Sequence, residues 1–162
     1  MNTKKEMMNC IVLWSAMRSG STEFARDIAQ NNQLRYADEL LNRGLSKYNP
    51  KLLNTSNTRL VFKLFAEHDY HLLQGKPCCT VVLERSPSQR WCSLLRARRT
   101  GDWKGKKRQG CEQRPPKWFI MHHRQWIQKA PRQHLYLTFE EVTLQRALSL
   151  NSVKSYCKIN AT

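Results

Sequence analysis

A short apolar run, Cys10, Ile11, Val12, Leu13 and Trp14, leads directly into the turn Ser15-Ala16-Met17-Arg18-Ser19-Gly20. Continuous apolar character fits a parallel strand buried on both faces, since a strand with one wet face would alternate. Beyond the turn, Phe24, Ala25, Ile28 and Ala29 share one stripe at helical spacing, and Ser21 or Thr22 can cap that helix. A strand, a tight turn and a helix over Cys10 to Ile28 aim several unpaired backbone N–H groups at one point. The helix dipole adds positive potential there. Gly20 lets the backbone approach an anion, and Ser19, Ser21 and Thr22 add hydroxyl donors. Arg18 adds a fixed charge with a planar fork of donors. The spacing predicts a phosphate-binding turn, although a serine-rich loop that merely caps a helix would use the same residues.

The remaining pattern alternates strands with helices. Leu60 to Phe65 and Cys79 to Glu84 read as strands, and His134 to Thr138 as a last short one. Pro87 suits a first helical turn, followed by Trp91, Leu94, Leu95 and Arg98 at helical spacing. Trp118, Phe119, His122 and Trp126 recur as the face of another helix, in which His122 and His123 read as packing residues. Glu140 to Leu150 reads as a further helix, and a short one is expected near Asp38 to Asn42. This alternation implies right-handed crossovers and a mainly parallel sheet. The whole chain, 1–162, reads as one domain. It carries a basic mobile loop at 104–117, rich in Gly and Pro, and an irregular tail at 151–162.

Charge bounds the partners. Twenty-eight Lys and Arg face twelve Asp and Glu, a formal +16, and such a field draws anions. Nucleotides, anionic glycans, nucleic acids and anionic membranes all qualify, as does a basic surface that serves only solubility. The six cysteines form no Cys-x-x-Cys pair and no His cluster stands at zinc spacing. Free thiols in a reducing compartment are therefore expected. The apolar stretch after Lys4 and Lys5 is too short for a signal peptide or a membrane span. The expected location is cytoplasmic, or luminal after loss of a leader.

A second constellation sharpens the first. Arg85 stands where a buried strand emerges at its C-terminal end, the edge at which open α/β sheets bind ligands. Ser93 lies about two helical turns further on, so both can meet around one phosphate. The nucleotide-kinase pattern Gly-x-x-x-x-Gly-Lys-Ser/Thr is absent.

Taken together, Arg18-Ser19-Gly20-Ser21-Thr22 and Arg85-Ser86-Pro87 with Ser93 resemble the two donor-binding signatures of sulfotransferases that use 3′-phosphoadenosine 5′-phosphosulfate. The run from Ser93 to Trp103 is similar to carbohydrate-type members, including trehalose and Nod-factor sulfotransferases. Leu135 to Val142 resembles the family's later strand. The family loop usually carries Lys where this chain has Arg18. The resemblance covers roughly residues 10–142. It implies a three-layer α/β fold with a parallel sheet of the P-loop nucleotide-binding type. It also implies that the first loop wraps the 5′-phosphosulfate, that Arg85 and Ser93 bind the 3′-phosphate, and that no metal is needed. Family members are commonly longer, so a C-terminally truncated member is expected.

Sulfuryl transfer needs a base for the acceptor hydroxyl and positive charge on the leaving phosphate oxygen. Arg18 fits the second role. The segment around Tyr36 to Asn42 resembles one that supplies a glutamate base, which implies Glu39, with Asp38 and His68 as alternatives. The implied partners are the nucleotide sulfate donor and a hydroxylated, possibly anionic carbohydrate. A nucleotide- or polyanion-binding protein without turnover stands as the alternative. A nucleic-acid module is a weaker one, because the aromatics fall on inferred helix faces rather than among basic residues along an exposed strand.

Overall fold

The structure, a computed structural model, describes residues 10–54, 59–103 and 113–159. Five strands, β1 (Cys10–Ser15), β2 (Arg35–Tyr36), β3 (Leu60–Leu64), β4 (Cys78–Glu84) and β5 (Leu135–Thr138), form one sheet. Its order is β2-β3-β1-β4-β5 and every neighbouring pair is parallel. The helices are α1 (Ser21–Asn31), α2 (Pro87–Thr100), α3 (Lys117–Gln128), α4 (Phe139–Leu144) and α5 (Arg146–Tyr156).

The opening strand is the centre of the sheet because both its faces are apolar. Ile11 and Leu13 pack with Phe24 and Ile28 of α1, Val61, Val81, Leu83, and Val153 of α5. Val12 and Trp14 turn the other way, onto Phe62, Leu64, Val82, Leu40, Leu41 and Trp126 of α3. Side chains two apart share a face of a strand, so a strand covered on both sides reads as an unbroken apolar run. This gives the three-layer α/β arrangement with a parallel sheet. The chain first builds β2 and β3 on one side of β1, then β4 and β5 on the other. The crossover direction therefore reverses beside β1, and the crevice of such a sheet opens at that strand's C-terminal end.

Two tryptophans lock α3 onto this centre. The Trp14 and Trp126 rings stack at 4.2 Å between centroids. Trp14 Nε1 donates to Trp126 O at 3.1 Å, and Trp126 Nε1 donates to Ser15 O at 2.7 Å. Burying two indoles satisfies both N–H groups at once.

Several local expectations are corrected. Helix α1 begins at Ser21 with Gly20 as N-cap and no side-chain cap, so neither Ser21 nor Thr22 caps it. Asp38 to Asn42 is a series of turns rather than a helix, with Asp38 at φ 51°. The helix expected over Glu140 to Leu150 is two, α4 and α5, divided at Gln145, whose ψ of 49° departs from helical geometry. The tail expected to be irregular from 151 continues α5 to Tyr156. It is ordered because Ser149, Val153 and Cys157, each one turn apart, are buried, a stripe too narrow to register as amphipathic. Of the basic loop expected at 104–117, residues 104–112 lie outside the described residues, 113–116 lack regular structure and Lys117 opens α3.

The cysteines also depart from expectation. Cys10 and Cys78 face each other in the β1–β4 register, and they are disulfide-bonded. Cys79 is bonded to Cys157 beyond α5, and Cys92 is in a disulfide too. Strand register brings Cys10 and Cys78 together, and the packing of the chain end beyond α5 brings Cys157 to Cys79; spacing along the chain reveals neither. A reducing compartment loses the support that free thiols would give it. No helix among the described residues is long and apolar enough to cross a membrane.

Candidate functional site

The turn between β1 and α1 lies in the crevice beside β1. Gly20 adopts φ +83°, and a Cβ there would stand 2.6 Å from Phe139 Cε2. Both the left-handed backbone and the ring against it require glycine. Arg18 is left-handed as well, at φ 67°, a conformation L side chains adopt with strain. Ser19 Oγ is buried in the turn and has no hydrogen-bond partner among the described residues. A buried hydroxyl without a partner is costly unless something else completes it. Ser19 lies two residues before the start of α1, where an anion would supply the missing acceptor.

Residues distant in sequence converge on this turn. Arg18 Nε donates to Ser93 Oγ at 2.9 Å, and Arg18 Nη1 donates to Trp103 O. Arg85 Nη1 donates to Arg18 O at 3.2 Å, and Arg85 Nε donates to Gln89 Oε1 at 3.0 Å. The Arg85 guanidinium lies 4.0 Å over the Phe139 ring, the same ring that closes on Gly20. Arg90, buried on α2, donates from Nε to Met17 O at 2.9 Å. Three arginines thus hold or flank the turn, and burial lowers the affinity of Arg18 for its proton, with Arg96 adding to this and Asp102 opposing it. Burial likewise lowers Arg90, to about 10. Both stay charged at neutral pH, and guanidinium groups gathered at one turn attract an anion.

The other end of the turn leads to Glu39. Lys63 is buried on β3, with its side chain 5% exposed. Its Nζ donates to Thr22 Oγ1 at 2.9 Å and to Glu39 Oε1 at 3.2 Å, and it pairs with Asp38 Oδ1 at 2.8 Å. Lys63 therefore bridges the first turn of α1, at Thr22, and the two carboxylates. Glu39 Oε2 accepts from Asn42 Nδ2 at 2.8 Å and faces His68 Nε2 at 3.5 Å. The Phe65 N–H donates to His68 Nδ1 at 3.2 Å, which leaves Nε2 as the ring's N–H, directed at the carboxylate. The bond from His68, that from Asn42 and the charge of Lys63 outweigh burial and bring the Glu39 carboxyl down to about 2. Burial pushes Asp38 up, but hydrogen bonds from Lys47, Lys63 and Tyr36 outweigh it and hold that carboxyl well below its ordinary range.

The residues singled out in the sequence fall into two groups. Arg18, Ser93 and Arg85 meet directly, on the turn that carries Ser19, Gly20, Ser21 and Thr22. Glu39 stands apart from Arg18 and reaches the turn through Lys63 and Thr22. Lys63 escaped the sequence reading, although a signal was present: a lysine inside the apolar run Leu60 to Phe65, where burial demands anionic partners. Arg90 was likewise not singled out, and Trp103 entered only as the end of the run from Ser93 that resembles carbohydrate-type members.

Solved structures share this architecture. Mouse sulfotransferase SULT7A1, in a complex with PAP, superposes with a TM-score of 0.62 at 15% identity, over 98% of this chain and 66% of that one. The chain thus spans about two thirds of that enzyme's length. A gluconokinase from Sinorhizobium meliloti 1021 superposes with a TM-score of 0.52 at 12% identity, over 92% of this chain and 95% of that one. No protein-family model matches the chain, and no curated protein matches it. At these identities the likeness is one of fold: the chain has the P-loop-like α/β fold found in a sulfotransferase and a gluconokinase.

Proposed function

We propose that this protein is a sulfotransferase that moves a sulfuryl group from 3′-phosphoadenosine 5′-phosphosulfate to a hydroxyl, that of a carbohydrate. The observation that carries this reading is the meeting of Arg18, Ser93 and Arg85 on a turn whose buried Ser19 hydroxyl has no partner among the described residues. One donor set at the N-terminus of α1 and a second on β4 and α2 suit a nucleotide with two separate phosphate groups. Ser19, Gly20, Ser21 and Thr22 would hold the 5′ end, and Arg85 with Ser93 the 3′-phosphate. The likeness in fold to a sulfotransferase in complex with PAP supports the same assignment.

The bound donor supplies an activated S–O bond to a phosphate leaving group. Glu39 takes the acceptor's proton as the new S–O bond forms. The old S–O bond breaks with its electron pair passing to the nucleotide phosphate. Lys63 and Arg18 set positive charge where that phosphate gains it. His68 is a poor base in this arrangement because its Nε2 carries a proton and its Nδ1 accepts from the backbone. It orients Glu39 instead. As Lys63 shifts toward the phosphate its hold on Glu39 weakens, which makes the carboxylate more basic when the proton must move.

A second reading, a protein of the same fold that holds the nucleotide without turnover, is favoured by one observation. A carboxyl lowered to about 2 is a weak base. Calorimetry with adenosine 3′,5′-bisphosphate and adenosine 5′-phosphate tests the shared part: the bisphosphate should bind more tightly, and Arg85→Ala should remove the difference. Equal affinities would overturn both readings. Transfer of labelled sulfate to a panel of glycans, with Glu39→Gln as control, separates enzyme from binder. Affinity for random RNA that falls steeply with salt, with no response to nucleotide, would favour a nucleic-acid module.

A further inference from the structure

Helix α3 buries one face and leaves an unusual one in water. Phe119, His123 and Trp126 turn inward, while Trp118 is 62% exposed and Met121 57%. Residues three and four apart on a helix are neighbours. Met121 therefore has Trp118 and Lys117 on one side and Arg124 on the other, both cations exposed. The Trp118 ring meets Trp91 of α2 edge-on, at 6.1 Å between centroids, so the apolar surface continues onto the next helix. There Trp91, Leu95 and Arg98 follow at helical spacing, and Arg98 is exposed. Neither α2 nor α3 contains an Asp or a Glu. Apolar side chains bordered by cations, with no carboxylate on either helix, form one surface.

The pattern selects its partner. Cations alone would serve a sulfated glycan or an RNA, but such a chain has no hydrocarbon to receive Met121. A second copy of this chain is disfavoured by charge. An isologous contact would set Lys117 and Arg124 against their own counterparts, with no carboxylate on either helix to relieve them. A bilayer with anionic headgroups meets both halves of the pattern. Lys and Arg heads stay with the headgroups while their stems lie along the apolar face. Tryptophan favours the boundary between headgroup and hydrocarbon, where its ring is buried and its N–H stays wet, and the unbranched Met side chain adapts to loose acyl chains. Leu144 is exposed too, but it shares its face of α4 with Glu140 and Glu141, which such a surface would repel. We propose that the α2–α3 face is a peripheral docking surface for an anionic lipid bilayer. Trp118 and Met121 enter the interface, and Arg98, Lys117 and Arg124 hold its headgroups. The inference is independent of the nucleotide reading, since Ser93, which meets Arg18, lies on the opposite side of α2 from Trp91 and Leu95.

Flotation with vesicles of phosphatidylcholine containing about 30% phosphatidylserine, and with phosphatidylcholine alone, tests this. The wild type should float with the anionic vesicles and stay behind with the neutral ones. Trp118→Ser and Met121→Ser, at exposed positions where thermal melts should not change, should each lower the partition coefficient about five- to tenfold. Lys117→Gln and Arg124→Gln should each lower it about fivefold, an effect that fades as salt rises. Brominated acyl chains should quench tryptophan emission, and Trp118→Phe should lose most of that quenching. Absence of wild-type binding to the anionic vesicles overturns the inference, and a heparin oligosaccharide bound through Lys117 and Arg124 instead would assign the face to a polyanion. Partition that is unchanged in both Trp118→Ser and Met121→Ser overturns it as well, even where the charge variants bind less, because no side chain then enters the interface. A dimer in sedimentation that Trp118→Ser dissolves, without vesicle binding, would give the face to a second copy and overturn it too.

Discussion

Arg18 Nε donates to Ser93 Oγ across 2.9 Å, which joins the turn after β1 to the middle of α2 through two side chains that each have phosphate-binding chemistry. Here the two side chains satisfy each other. Binding of a phosphate must exchange this bond for bonds to the ligand, so the two residues cannot contribute independently. Ser93→Ala should weaken adenosine 3′,5′-bisphosphate by about 1 kcal/mol, the net value of an ordinary hydrogen bond. Arg18→Ala should cost more, about 1.5 to 3 kcal/mol, because its bonds are charge-assisted. The double variant should lose less than the sum, and calorimetric titration of all four proteins reads the coupling.

Gly20 meets two demands, a left-handed backbone and a place for the Phe139 ring. Gly20→Ala should destabilise the fold by about 2 to 4 kcal/mol, part from the φ of +83° and part from the clash. In a Phe139→Ala background the clash is gone, so the same substitution should cost only about 1 to 2 kcal/mol. Urea unfolding of the four proteins separates the two parts.

Residues whose structure is set by near neighbours were legible in the sequence. The run Cys10 to Trp14, the turn to Gly20 and the stripe through Ile28 give β1, the turn and α1 by local sterics and burial. The residue types and the strand end marked Arg18, Arg85 and Ser93 in the sequence, which paired Arg85 with Ser93; that Arg18 bonds to both came only from the parallel crossovers. Lys63 was hidden because its meaning lies in partners on two other segments, Thr22 and the Asp38–Glu39 turn. Strand β2 holds two residues, too few to show a period. The Cys10–Cys78 pair depends on strand register and the Cys79–Cys157 pair on the docking of the chain end beyond α5, and no spacing along the chain encodes either.

The Trp14–Trp126 stack, with Trp14 Nε1 donating to Trp126 O and Trp126 Nε1 to Ser15 O, ties α3 to the centre of the sheet. Trp126→Phe keeps a ring but removes the N–H that satisfies Ser15 O. It should cost about 2 to 4 kcal/mol, from a lost buried hydrogen bond and a cavity. Chemical denaturation measures this. Because Ser15 leads into the turn, nucleotide affinity should fall in the same variant.

Lys63 and Glu39 make stability depend on pH in a fixed direction. The Glu39 carboxyl is lowered to about 2 in the folded chain, with His68 the largest cause, whereas the unfolded chain has its ordinary value near 4.3. A depressed carboxyl stabilises the fold above the unfolded value, and that contribution is lost as pH falls through the folded one. The loss should therefore run from about pH 4.3 down to about pH 2, and Glu39→Gln should flatten that part of the profile. Lys63→Met removes the shared cation and leaves Asp38 and Glu39 facing each other. It should raise both carboxyls and move the loss to higher pH, which urea unfolding at a series of pH values reads directly. If Glu39 is the base, sulfate transfer by the wild type should show no acid limb from this residue between pH 5 and 8. In Lys63→Met a limb should move upward together with a large fall in rate, because the same lysine both lowers the carboxyl and neutralises the leaving phosphate.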